Sequence, residues 1–416
     1  MKSWNRPEVP RLPGHGPVPR IFDTASAGLV EARPAAGGMS GGVGIYVCGI
    51  TPYDATHIGH AATYLAYDTL IRLWLDGGYD VRYVQNTTDV DDPLLERAAE
   101  TGIDWRELAA SQTELFRRDM EALSIIPPDH YIAVTDMIEP VADAVKILLD
   151  RGIGYLVDDD VYFDSAAAEA ASPWRLGDES HLDRARMLAL SAERGGDPGR
   201  VGKRDPLDPL LWRAVRPDEP CWDTVLGAGR PGWHIECSVI AGAYLDIPIT
   251  VNGGGRDLVF PHHEFSAGHT AAITGTPLAA IYSHAGLVAY HGEKMSKSLG
   301  NLVLVSALTD SGIDPRAIRL SILAQHYRRD WAWTDDVLAT AVSRLERWQN
   351  WARMVPAEAT VTTTVDTIRG AIREAIANDL GTPQAIDIVD AAIASGELAT
   401  PPLIDAIDAL LGIRLD

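Results

Sequence analysis

Two histidines flank a glycine in His57-Ile58-Gly59-His60, and much further along two lysines sit in Lys294-Met295-Ser296-Lys297-Ser298. Histidines at a helix start add imidazole N–H groups to unpaired backbone N–H groups and to the positive end of the helix dipole. That combination suits negative charge developing on phosphoryl oxygens. Gly59 between them lets a ligand approach the backbone closely. Only five of the chain's 36 Lys and Arg residues are lysines, yet two of them, Lys294 and Lys297, fall in this one pentapeptide. Compact, mobile charges in a Gly/Ser-containing loop can close over phosphates. Each stretch alone has a plainer reading, as helix-start polar residues and as solvated loop lysines. It is the pair, in this order, that points to phosphoryl chemistry.

The surrounding pattern supplies elements to hold them. Val43–Val47 reads as a short buried strand, followed by a loop with Gly49 and Pro52. A helix is predicted from about His60 to Asp76 on the spacing of Tyr64, Leu65, Leu70, Leu73 and Trp74, ended by Gly77-Gly78, with a second strand from Val81. This βαβ opening implies a parallel sheet with its site at the carboxyl ends of the strands. Helices are predicted over 104–123 and 136–151, and a hairpin at Tyr155–Asp164. Next come a helix at Trp233–Leu245, a strand at Ile247–Val251, a glycine loop at Gly253–Gly255, a helix from near Pro261 and a strand over about Ile281–Ala289. Helical patterns follow at 314–326, 335–353, 366–378, 383–394 and 402–411. The fold class is therefore α/β: a Rossmann-like parallel sheet with an inserted subdomain and a C-terminal helical bundle. The expected division is an N-terminal arm over 1–40, a catalytic domain over 41–310 with an insertion at about 95–230, and a helical domain over 311–416.

Composition narrows the partners. With 416 residues, 46% of them hydrophobic, the chain can bury a large core. No apolar run is long enough to span a bilayer and no secretory signal pattern opens the chain, so no membrane partner is expected. Three cysteines, Cys48, Cys221 and Cys237, make no disulfide framework, which favours a reducing cytoplasm. The net charge is −22, and residues 356–416 hold Arg369, Arg373 and Arg414, no lysine, and ten Asp or Glu. That tail is a poor holder of nucleic acid, which binds basic surfaces. No surplus amphipathic helix asks for a partner, so a monomer is expected.

Read together, the histidine and lysine signatures resemble those of class I aminoacyl-tRNA synthetases. A narrower resemblance is to cysteinyl-tRNA synthetases. It is carried by Tyr46-Val47-Cys48-Gly49, Tyr53-Asp54, Asn86-Thr87-Thr88-Asp89-Val90-Asp91-Asp92 and Pro231-Gly232-Trp233-His234-Ile235-Glu236-Cys237. It continues in Gly253-Gly254-Gly255-Arg256-Asp257-Leu258 and Phe260-Pro261-His262-His263-Glu264. The resemblance implies activation of cysteine by ATP, with magnesium on the phosphates and one zinc ion held by Cys48, Cys237 and His262. Without it, Cys48 and Cys237 would read as ordinary buried cysteines. Where the family carries a fourth, glutamate ligand, this chain has Ser266, which leaves a coordination place for the substrate thiolate; His263 is the lesser alternative ligand. The implied site for ATP and the cysteinyl adenylate comprises Cys48, Gly49, Thr51, His57, Gly59, His60 and Thr63, then Asn86, Thr88 and Trp233. It continues through Gly255, Arg256, Asp257 and Val288 to Lys294 and Lys297. Within it, Thr88 and Trp233 lie near the cysteine, Asp257 near the ribose and Val288 near adenine, and the lysines hold departing pyrophosphate.

One further string, Glu193-Arg194-Gly195-Gly196-Asp197-Pro198, reads locally as a turn-rich charged loop. It resembles a signature of the synthetase-derived ligases of mycothiol biosynthesis, which join L-cysteine to the amine of glucosaminyl-inositol. The acidic tail and the Ser266 departure agree with that branch, so the expected partners are L-cysteine, ATP and glucosaminyl-inositol, with no nucleic acid. The alternatives are a cysteinyl-tRNA synthetase with a reduced C-terminal region and a catalytically dead paralogue. No motif marks the inositol pocket, a general base for the second step, or a role for Cys221.

Overall fold

The computed structural model describes residues 1–54, 56–290, 293–294, 302–354 and 363–415. Five strands form the central sheet: β1 (Gly42–Val47), β2 (Asp80–Thr87), β3 (His130–Ala133), β4 (Ile249–Gly255) and β5 (Ala279–Ala285). Their order is β3-β2-β1-β4-β5 and every pairing is parallel. Parallel strands need crossovers that cover both faces, so β1 is an apolar run buried throughout, and the carboxyl half of β2 and nearly all of β4 are buried even where they carry Gln85, Asn86, Thr87 and Asn252. The order reverses between β1 and β4, and the chain leaves both strands there at their carboxyl ends, the usual place for a ligand crevice.

Helix α1 (Ile58–Asp76) returns the chain from β1 to β2, and α2 (Ile138–Asp150) follows β3. The chain then enters an antiparallel sheet of five strands within 154–231, whose first hairpin pairs Gly154–Val157 with Asp160–Phe163. Helix α3 (Arg184–Glu193) lies in this insertion. Helix α4 (Trp233–Tyr244) leads back to β4, α5 (Glu264–Thr274) to β5, and α6 (Pro315–Leu323) opens the helical tail. Helices Asp335–Ala352, Thr363–Ala377, Thr382–Ala394 and Pro401–Leu411 complete the tail around Trp348, Trp351, Ile386 and Leu403.

Side chains alternate along β1. Val43, Ile45 and Val47 pack with α1, whereas Tyr46 and Cys48 face the other way, into the core shared with α2, α4 and α5. The period of two in a strand thus sends Cys48 toward the helix that carries Cys237.

Three expectations change. The span predicted as insertion, about 95–230, includes β3, an edge strand of the central sheet, so the separate sheet occupies 154–231. Gly253–Gly255, read as a loop, is the end of β4. Glycines suit that strand because Tyr67 of α1 lies against it: a Cβ at Gly253 would sit 2.6 Å from the Tyr67 ring, whose hydroxyl donates to the Gly254 carbonyl at 3.0 Å. The arm over 1–40 carries a hairpin, Arg20–Asp23 with Gly28–Glu31, held on β5 through the Asp23 carboxylate, which accepts from the Tyr282 N–H at 2.8 Å.

Candidate active site

A cleft of about 950 Å³ opens where β1 and β4 end, between the central sheet and the insertion. On its sheet side lie Cys48, Thr51, His57, His60, Trp233 and Asp257. The loop after β1 is tied to β2 by Asn86, whose Oδ1 accepts from the Gly49 N–H at 2.8 Å and from the Tyr46 hydroxyl at 3.0 Å. Gly49 approaches so closely that a Cβ there would run into the Asn86 carbonyl oxygen.

His57 is the N-cap of α1, and its Nδ1 accepts from the Gly59 N–H at 3.1 Å. That bond leaves the ring proton on Nε2. Burial, opposed by Asp257 and Asp54, pushes the His57 pKa down to about 4, so the ring is neutral near pH 7. His60 stacks on it with ring centroids 3.8 Å apart. Its pKa also falls well below the ordinary histidine value, from burial and then from His57. The buried His60 Nδ1 has no partner among the described residues. The helix start therefore offers neutral imidazole and backbone donors, an arrangement able to stabilise an anion.

Beside it, Cys48, Cys237 and His262 place their ligand atoms within 4.8 Å of one another, all three residues buried. The two sulfurs are 4.0 Å apart and His262 Nε2 is 3.2 Å from the Cys237 sulfur. Burial raises both thiols, and Cys48 stays well above the ordinary thiol value. Cys237 is drawn well below it by the Cys48 S–H and by His262. Two sulfurs and an imidazole so placed can hold a metal ion.

The surroundings orient these groups. His262 Nδ1 meets His234 Nδ1 at 3.1 Å, so the ring that turns Nε2 to the sulfurs is steered from behind. His263 Nε2 approaches the Cys48 sulfur at 3.3 Å, and its Nδ1 meets His284 Nε2 at 2.8 Å. Ser266 Oγ donates to the His262 and His234 carbonyls at 2.7 and 3.1 Å, so this hydroxyl is turned to backbone and away from the cluster. The partners His234 and His284 were missed from sequence. His234 lies inside a quoted motif, but nothing in one dimension shows which ring it meets.

Of the other expected residues, Gly49, Thr63 and Gly255 also border the cleft. Gly59 serves through its N–H, and Asn86 and Thr88 lie behind the loop, joined through Asn86 Nδ2 and Thr88 Oγ1 at 3.1 Å. Arg256 is engaged away from the cleft, with Asp330 at 2.8 Å. Val288 is buried in the short strand Val288–Tyr290. Lys294 belongs to the two-residue strand Glu293–Lys294, paired with Val288–Tyr290, while Lys297 lies outside the described residues. Cys221 is exposed. Among the described residues no helix is long and apolar enough to cross a membrane.

Comparison with known proteins agrees with this geometry. The family model for the tRNA synthetases class I (C) catalytic domain matches residues 36–343. The L-cysteine:1D-myo-inositol 2-amino-2-deoxy-alpha-D-glucopyranoside ligase of Clavibacter michiganensis subsp. michiganensis is 61% identical, covering 100% of this chain and 99% of that protein. The protein of the same name from Arthrobacter sp. (strain FB24) is 54% identical over 94% of this chain and 92% of its own length. Among solved structures, Mycobacterium tuberculosis methionyl-tRNA synthetase in complex with methionyl-adenylate superposes with a TM-score of 0.61 at 17% identity, covering 89% of this chain and 88% of that one. The Agrobacterium radiobacter K84 agnB2 LeuRS-tRNA-LeuAMS complex gives 0.60 at 13%, covering 91% and 84%. At such identities these two likenesses concern the fold. The parallel sheet, its histidine-capped crevice and the full-length sequence match place the chain in the class I (C) tRNA synthetase family, in the group of the L-cysteine:1D-myo-inositol 2-amino-2-deoxy-alpha-D-glucopyranoside ligases.

Proposed function

We propose that the chain uses ATP to join L-cysteine to the amine of 1D-myo-inositol 2-amino-2-deoxy-α-D-glucopyranoside, the cysteine-adding reaction of mycothiol biosynthesis. The observation that carries the reading is a cluster of two cysteines and a histidine, with Cys48 on the wall of the same cleft as the histidine-capped helix start. In the first step a carboxylate oxygen of cysteine attacks the α-phosphorus of ATP, the bond to the β-phosphate oxygen breaks, and pyrophosphate leaves. The His57 Nε2–H and the N–H groups opening α1 stabilise the charge that builds on the phosphoryl oxygens. Asp257 accepts from the ribose hydroxyls, and Trp233 walls the amino-acid pocket, with Thr88 behind the loop that lines it. Lys294 and Lys297 receive the pyrophosphate, and magnesium, when bound, would offset the phosphate charge. In the second step the sugar amine attacks the cysteinyl carbonyl carbon, the bond to AMP breaks, and the amine proton passes to solvent.

Cys48, Cys237 and His262 would hold zinc. Two sulfurs on a tetrahedral zinc ion lie about 3.8 Å apart, given Zn–S bonds near 2.3 Å, against 4.0 Å here. Bound there, the ion would favour a substrate thiolate over a hydroxyl, and so cysteine over serine, more strongly than an apolar pocket can. The protein acts as a cytoplasmic monomer in this reading.

The test is AMP release by zinc-loaded protein with ATP and L-cysteine, offering glucosaminyl-inositol in one reaction and deacylated cysteine tRNA in another. Turnover with the sugar alone is expected. Turnover with tRNA alone would overturn the reading in favour of a cysteinyl-tRNA synthetase.

A further inference from the structure

The cleft runs from the ends of β1 and β4 to a far wall built by the insertion. Loop 193–200 crosses that wall, and its sequence is explained by how it is held. Gly195 has φ +82°, a left-handed conformation that favours glycine, and a Cβ at Gly196 would run into Ser191 Oγ. Arg194 donates to the carbonyls of Asp257 and Phe260. The loop is thereby pinned to the turn between Asp257 and His262.

The cations on this wall are already engaged. Arg200 pairs with Asp158 at 3.0 Å and Asp160 at 3.2 Å, and Arg216 with Asp160 at 2.7 Å. Lys203, nearly buried, pairs with Asp197 at 2.8 Å, and Asp197 also accepts from the Tyr162 hydroxyl. Arg213 and Arg230 share Asp92 and Glu219. A phosphodiester chain binds by neutralising its charges against available cations, and here each of these pairs would have to break first. Hydroxyl groups need the reverse: fixed donors and acceptors of low net charge, which paired Arg and Asp side chains provide. Glu193 borders the cleft with an exposed carboxylate that has no hydrogen-bond or ion-pair partner among the described residues, a place for an ammonium group.

We propose that this insertion wall, centred on Glu193, Asp197 and Arg200, is the acceptor subsite and is built for a polyhydroxylated primary amine rather than a polyphosphate chain. Glu193 receives the amine, and the Tyr162–Asp197–Lys203 and Asp160–Arg200 groups receive ring hydroxyls. The proposal rests on the ligase reading above and adds to it the residues that choose the acceptor.

The experiment compares zinc-loaded wild type with Glu193→Gln and Asp197→Asn in two assays: cysteine-dependent ATP–pyrophosphate exchange, which needs no acceptor, and steady-state ligation with glucosaminyl-inositol. Folding of each variant is checked by its thermal transition. The expected result is an acceptor KM raised at least tenfold in both folded variants, with exchange within about twofold of wild type. An unchanged acceptor KM in either folded variant overturns the proposal. So does an exchange rate that falls in parallel with ligation, because the wall would then serve the adenylate. Should wild type exchange pyrophosphate yet never use glucosaminyl-inositol, the ligase reading itself fails, and that outcome is visible before any variant is made.

Discussion

The two nitrogens of His57 have separate tasks. Nδ1 caps α1 by accepting from the Gly59 N–H, and Nε2–H is left as a donor on the cleft side. Asparagine is a good N-cap but places no N–H where Nε2 stands. His57→Asn should therefore leave stability within about 0.5 kcal/mol while lowering ATP–pyrophosphate exchange by about 10²–10³-fold, the usual cost of one lost transition-state donor. Thermal denaturation beside the exchange assay checks both halves. Exchange within tenfold of wild type would remove His57 from the phosphoryl step. The placement of His57, Gly59 and His60 was legible in the sequence, since local spacing brings them together at the start of α1. The orientation of His262 by His234 was not, because it is a contact between two helical segments.

At the scale of elements, the site depends on how the loop after β1 is fastened. Gly49 touches the Asn86 carbonyl of β2, a backbone atom that cannot swing aside. Gly49→Ala should destabilise the protein by about 1–3 kcal/mol, in the range of overpacking, and move Cys48 away from Cys237. A lowered urea midpoint with reduced bound zinc is the expected observation, and an unchanged midpoint would show that the loop can relax. The same close approach explains why the glycine run at Gly253–Gly255 misled a reading by composition. Glycine alone signals a turn, but here it makes room for Tyr67 beneath a strand. The βαβ opening, by contrast, was readable because strand and helix periods are local.

The whole molecule is tied together by one buried charge group. Asp68 of α1 pairs with Arg72 at 2.8 Å and with Arg319 of α6, all three nearly inaccessible. Arg319 Nε donates to the Leu411 carbonyl at 2.7 Å and Arg72 Nη1 to the Asp408 carbonyl at 3.0 Å, so the triad locks the helical tail onto the catalytic sheet. Burial raises the Asp68 pKa, but Arg319 and Arg72 outweigh it and hold it below the ordinary carboxylate value. A depressed folded pKa contributes stability that is present above the unfolded value and lost as pH falls through the folded one. Asp68→Asn should thus cost about 3–5 kcal/mol at neutral pH by removing the carboxylate that pairs directly with both buried guanidinium groups. It should also remove part of the acid-side loss of stability below about pH 4. Urea melts of wild type and variant at pH 7 and 3.5 measure both effects. A gap of equal size at the two pH values would mean that Asp68 is not ionised in the fold.

The sequence by itself determined which chemical groups are present and the local elements that carry them. The histidine-capped helix, the alternating β1 strand and the two cysteines all follow from residue type and short-range spacing. Only the tertiary structure decided that Cys48 meets Cys237 across 189 positions, that loop 193–200 faces the cleft where β1 and β4 end, and that the Arg and Lys side chains on its wall are paired. The reason is physical. Periodicity and capping are governed by backbone geometry over a few residues, whereas these meetings depend on strand order and on the packing of the insertion against the sheet.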